Sequence, residues 1–178
     1  EVRRKGDWSV KRPDLEPSGW CLEFANEFYP DIDDTAMALL ALQRAARGEP
    51  ARARDAMDRA LRWLVGMQSK NGGWAAFDVD SGWAPLAEAP FAVRNAVLDQ
   101  ACPDITGRVL EALCACGLDR GHPAVGRGVR RLIGTQEADG GWSGRWGVNY
   151  IYGTFLALRG LRAAGEDERE AHILRAGE

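Results

Sequence analysis

The sequence is poor in the residues that mark metalloproteins, nucleic-acid binders and membrane-spanning chains. It holds only two histidines, His122 and His172, and they lie far apart. The four cysteines, Cys21, Cys102, Cys114 and Cys116, form no set with zinc-site spacing, with or without those histidines. Cys114 and Cys116 sit two apart on an expected helix and therefore face different directions, so reduced, mostly buried thiols in a cytoplasmic setting are the default. Charge of one sign is lacking too: 23 Lys and Arg stand against 26 Asp and Glu, and the arginines fall on helix faces rather than in one run. Nothing here points to nucleic acid. There is no long apolar run, so no segment is expected to span a membrane. Tryptophan is what the chain does have, seven of them, placed regularly.

The regularity is that of a repeat. Gln68 and Trp74 have the same separation as Gln136 and Trp142, each pair closing on Gly-Gly-Trp. Leu64 and Leu132 each stand four before the glutamine. Thr35, Leu39 and Leu42 correspond to Thr106, Leu110 and Leu113, and again to Thr154, Leu158 and Leu161. Largely apolar helices, expected from about Asp33 to Ala46, Asp104 to Cys116 and Thr154 to Ala164, alternate with amphipathic ones expected from about Ala51 to Gln68 and from Pro123. A sixth helix is expected near Glu170. The first apolar helix is hydrophobic nearly all round, which implies burial on both sides. Glu1 to Tyr29, Ala75 to Pro103 and Gly144 to Tyr152 read as irregular, aromatic-rich connections. Two layers follow, an inner and an outer ring: an all-α, αα-barrel fold. Such repeats cannot bury their faces singly, and the third unit is incomplete, so the chain reads as an excised middle segment of a longer protein. In each Gln…Gly-Gly-Trp turn the glutamine amide is expected to satisfy free backbone groups at a helix end, covered by the stacked tryptophan, so that the turns tie outer helices together.

One stretch stands apart from this architecture. In Pro30-Asp31-Ile32-Asp33-Asp34-Thr35-Ala36, three acids crowd the start of an apolar helix. A single acid there caps backbone N–H groups and suits the helix dipole. Three held together in an apolar site cannot all ionise cheaply, and at least one then stays protonated at neutral pH. A neutral carboxylic acid beside an apolar cavity is what protonating a carbon–carbon double bond requires. The plain alternative is one cap and two solvated acids.

Together, Tyr29-Pro30-Asp31-Ile32-Asp33-Asp34-Thr35-Ala36, Gly72-Gly73-Trp74, Pro103-Asp104-Ile105-Thr106 and Gly144-Arg145-Trp146-Gly147-Val148-Asn149-Tyr150 resemble the squalene–hopene cyclases, a group of class II triterpene cyclases. The resemblance covers essentially the whole chain, and it implies that 1–178 is part of the domain carrying the acid, with the family's second αα-barrel domain outside it. It implies cyclisation of squalene to hopene or hopanol, as a step of hopanoid biosynthesis. Asp33 is the implied proton donor, with Asp31 and Asp34 hydrogen-bonding around it and Asp104 supporting it. Trp146, Phe77 and Tyr152 match family positions at the cavity. No metal and no organic cofactor is implied. The implied partners are squalene and the surface of one membrane leaflet, at a bacterial cell membrane on its cytoplasmic side, and a homodimer is compatible with this.

Two positions depart from the family pattern. Arg108 stands where the best-known member has a histidine. It shares a helix face with Asp104, which allows an ordinary surface ion pair or a fixed charge beside Asp33 that cannot recycle a proton, leaving reprotonation to water ordered by Tyr152. Leu22 stands where an active-site phenylalanine is common, and an aliphatic side chain offers no π face; Phe24, two positions on, is not expected to substitute for it, its side chain being expected to point in a different direction. Other readings stay open. They are a class II cyclase of another polyprene (a curcumene-type or diterpene precursor) and a non-catalytic αα-repeat binding module. A protein-prenyltransferase-like barrel would need a zinc site, for which no Asp/Cys/His spacing is present.

Overall fold

A computed structural model describes residues 1–45, 51–81, 99–147, 149–167 and 169–177, without the side chains of 51 and 52. Most of the irregular stretch expected over 75–103, including Trp83 and Phe91, lies outside the described residues.

Among the described residues six α-helices carry the fold: α1 (Ile32–Ala45), α2 (Ala51–Gly66), α3 (Pro103–Ala115), α4 (Pro123–Gly134), α5 (Asn149–Ala163) and α6 (Ala171–Arg175), with a 3-10 turn at Asp7–Val10. Among the described residues there is no strand; a lone antiparallel bridge joins Trp20 to Asp31. α3 lies between α1 and α5, while α2 packs on α1 and α4 on α3. This is an arc of an αα-barrel, with α1, α3 and α5 as the inner row. The amphipathic pattern of the sequence is kept: α4 buries Val125, Val129 and Leu132 and exposes Arg127 and Arg130.

Glycine sets how closely the inner helices meet. A Cβ on Gly107 would lie 2.2 Å from Leu156 O, and one on Gly160 would lie 2.4 Å from Gly107 O. α3 and α5 therefore cross backbone against backbone, which no larger residue permits.

The Gln…Gly-Gly-Trp turns are hydrogen-bonded anchors. Gln68 Nε2 donates to Gly72 O at 2.8 Å and, across the chain, to Ala124 O in the first turn of α4 at 2.8 Å. Gln136 repeats this with Gly140 O (2.7 Å) and His172 O in α6 (2.6 Å). Outer helices are thus tied in sequence, as expected. The tryptophans contribute through their indole N–H groups: Trp74 Nε1 donates to Leu64 O at 2.7 Å, and Trp142 Nε1 to Leu132 O at 2.8 Å. The repeated threonines have a matching task. Thr35, Thr106 and Thr154 accept, through Oγ1, the backbone N–H of Trp20 (2.9 Å), Trp74 (3.0 Å) and Trp142 (3.0 Å). Trp20 therefore belongs to the same series, although no glutamine announces it.

Two expectations change. α1 is not buried all round: Ile32, Thr35, Ala36, Leu39 and Leu40 are buried, but Met37 and Ala41 are exposed, because α2 and α3, which pack on α1, leave that side uncovered among the described residues. α5 begins at Asn149, one turn before Thr154. The aromatic and β-branched residues of that turn have modest helix propensity, but tertiary contacts override it: Tyr150 Oη donates to Glu137 Oε2 at 2.9 Å and Tyr152 is engaged by α3.

Candidate active site

Asp31 is the residue just before α1. Its Oδ1 accepts the Asp34 backbone N–H at 3.0 Å, a helix-capping bond, and its main chain pairs with Trp20 O at 2.9 Å. It is nevertheless buried, and burial pushes its carboxyl up to about 6, aided by the charges of Asp34 and Asp33 and opposed by the backbone hydrogen bonds it accepts. Asp33, one helical position inside α1, is half-buried. Its carboxyl is also raised, by burial first; the Arg108 guanidinium pulls the other way, and the charges of Asp104 and Asp34 add to the rise. Asp34 keeps Oδ2 buried, without a hydrogen-bond partner among the described residues.

Arg108 projects from α3 to this cluster. Its Nε lies 2.6 Å from Asp33 Oδ1, a close charge contact whose angle falls short of a hydrogen bond. Nη2 donates to Tyr152 Oη at 2.6 Å and Nη1 to Met37 Sδ at 2.5 Å, and the guanidinium lies 6.0 Å from the Tyr152 ring centroid. Three inner helices thus converge on one cation: α1 through Asp33 and Met37, α3 through Arg108 itself, α5 through Tyr152.

Asp104 is buried and does not pair with Arg108. Its Oδ2 accepts the backbone N–H groups of Arg145 (2.8 Å) and Trp146 (2.9 Å), and its Oδ1 that of Ile105 (3.1 Å). It fixes the loop that presents Trp146, whose half-exposed ring meets Phe77 edge-to-face at 6.4 Å and 85°. Phe77 in turn lines a groove of about 380 Å³ with Leu22, Glu23, Asn26 and Tyr29. Leu22 is exposed there and also lines an adjoining cavity of about 470 Å³ beside the first residues of the chain, which the fully exposed Phe24 shares.

The structure therefore gathers Asp31, Asp33, Asp34, Asp104, Arg108 and Tyr152 at one end of the inner helices, with Trp146, Phe77 and Leu22 running away from them as an apolar wall. Two residues at this candidate site escaped the sequence reading. Met37 sits one turn after Asp33 and looks like one more apolar helix residue. Asp99 lies in an irregular stretch with no motif, and its carboxylate accepts three consecutive backbone N–H groups at Ala76, Phe77 and Asp78. Among the described residues no group of three or more His, Cys, Asp or Glu side chains is arranged to hold a metal ion.

The family described as squalene-hopene cyclase C-terminal domain matches the chain over residues 1–178. The squalene–hopene cyclase of Alicyclobacillus acidocaldarius is 45% identical over 165 residues, covering 93% of this chain and 26% of that protein. That of Zymomonas mobilis is 44% identical over 162 residues, 90% of this chain and 25% of that protein. That of Schizosaccharomyces japonicus is 43% identical over 160 residues, 90% of this chain and 24% of that protein. The chain spans about a quarter of the length of these curated relatives.

Proposed function

The chain belongs to the squalene–hopene cyclase family, and we propose that it forms the acid-bearing part of an enzyme that cyclises squalene to hopene or hopanol. The observation that carries this reading is the half-buried Asp33, raised by burial and by neighbouring acids, with the Arg108 guanidinium 2.6 Å from its carboxylate. The carboxyl proton passes to a carbon of the terminal double bond, which leaves a tertiary cation and an Asp33 carboxylate. Successive double bonds attack the cation and close the rings. The last cation loses a proton to give hopene or takes up water, with loss of a proton, to give hopanol. Burial raises the Asp33 carboxyl and so favours its protonated form before the step, and Arg108 stabilises the anion left after it. Asp104 and Asp34 crowd the acid with like charge and oppose its ionisation, beside the buried Asp31.

Arg108 holds its charge permanently and cannot return a proton. Asp33 is therefore recharged from water, which Tyr152, held by Arg108 Nη2, helps to order beside the acid. The Trp146 and Phe77 rings present negative π faces to the moving cation, and Leu22 presents none. Association with the surface of a membrane leaflet and a homodimeric assembly belong to the same proposal; among the described residues no helix is long and apolar enough to cross a membrane.

The test is squalene turnover by the complete protein beside Asp33→Asn, with products read by mass spectrometry. Hopene or hopanol from the parent and none from a folded variant is expected. Turnover of a different polyprene alone would move the substrate assignment, and full turnover by Asp33→Asn would remove the acid.

A further inference from the structure

We infer that Asp99 is a positioning residue for the cyclisation, holding the Phe77 ring in the cavity wall; the inference rests on the reaction proposed above. Asp99 Oδ1 accepts Ala76 N–H at 3.1 Å, while Oδ2 accepts Phe77 N–H at 2.6 Å and Asp78 N–H at 2.9 Å. Three successive amides turned to one point form a concave anion seat, and hydrogen bonds to an ionised acceptor are roughly twice as strong as neutral ones. One carboxylate thus determines the backbone under Phe77.

The same segment touches the acid end of the site. Ala76 O accepts the N–H of Ile32 at 2.8 Å, and Ile32 separates Asp31 from Asp33. Asp99 consequently sets the wall ring and the start of α1 relative to each other. Its counterpart is Asp104, five residues on, which accepts the backbone N–H groups of Arg145 and Trp146. Each ring of the edge-to-face pair Phe77–Trp146 is held at its own backbone by a carboxylate from the lead-in or first turn of α3. The ring pair is built from two loops far apart in the chain, and α3 is the common post to which both are tied. Without the Asp99 clamp, the peptide at 76–78 is free to turn and the Phe77 face leaves the path of the cation.

A loop anchor alone would affect stability; a positioning residue changes which products form. The complete protein is compared with Asp99→Asn, Asp99→Ala, Phe77→Leu and the double variant Asp99→Ala/Phe77→Leu, with folding followed by circular dichroism. Asp99→Asn carries the test if the alanine variant does not fold, since it keeps the side-chain shape but turns an N–H₂ group toward amide donors. Products with fewer rings are expected to rise severalfold relative to hopene in both Asp99 variants, in the same pattern as Phe77→Leu, and the double variant is expected to match Phe77→Leu. Folded Asp99 variants with the parent's product ratio, beside an altered Phe77→Leu, would overturn the clamp alone. A parent that cyclises nothing would overturn the reaction and the inference with it.

Discussion

Arg108 and Asp33 meet across two neighbouring inner helices, with Nε of the one 2.6 Å from Oδ1 of the other. The contact places a permanent cation against a carboxyl that burial pushes up, so the two effects on Asp33 oppose each other and burial is the larger. Burial thus favours the protonated form of Asp33, while Arg108 favours its anion.

Arg108→Gln separates those effects. Removing the guanidinium takes away the charge and the close polar contact that lower the Asp33 carboxyl, so its pKa rises further and the high-pH limb of squalene turnover moves to higher pH. The anion left after proton transfer is then less stabilised. A charge-assisted contact contributes about 1.5–3 kcal/mol, so turnover below the limb is expected to fall roughly 10- to 100-fold. A pH–rate profile of the complete protein reads both changes, and a variant with the parent's profile would remove Arg108 from the mechanism.

Asp31→Asn tests the burial of the capping acid. Asp31 has a folded value of about 6 against an ordinary 3.8. Between those values the unfolded chain ionises first, so the folded state loses stability as pH rises from about 4 to about 6. The loss is complete above that range and absent below it, and amounts to about 3 kcal/mol as an upper figure. The asparagine keeps an oxygen to accept the Asp34 N–H. Thermal unfolding at pH 4 and pH 7.5 is expected to show the variant gaining on the parent only at the higher pH. An equal difference at both would show that Asp31 does not titrate in this range.

Gly107→Ala probes the inner-helix crossing. The added methyl would sit 2.2 Å from Leu156 O, against backbone that cannot rotate away. α3 and α5 must separate, and overpacking of this kind costs about 1–3 kcal/mol. A lowered unfolding temperature, with weakened activity because Arg108 and Tyr152 ride on those two helices, is expected. An unchanged melting curve would mean that the helices do not cross this closely.

Much of this was legible in the chain itself, because it is carried by short-range pattern. The glutamine and tryptophan of each turn, the recurrent threonines and the alternation of apolar with amphipathic helices are set by residues a turn or two apart. The three acids before α1 are contiguous, and their mutual repulsion follows from adjacency alone. Asp99 had no such signal: its three partners lie more than twenty positions away, in a stretch without periodicity.

What the sequence by itself determined is therefore the repeat, the two-layer helical class and the clustering of three acids at the start of α1, all consequences of local spacing and of the chemistry of adjacent side chains. What only the tertiary structure decided is which charges meet. Asp104 and Arg108 share a helix face, yet Asp104 spends its Oδ2 on amides 41 and 42 positions away, and Arg108 turns to Asp33 on α1 and Tyr152 on α5. The physical reason is burial: a carboxylate enclosed beside a loop takes the nearest fixed backbone donors, and a long guanidinium next to it reaches outward to the acid that the neighbouring helix brings within range.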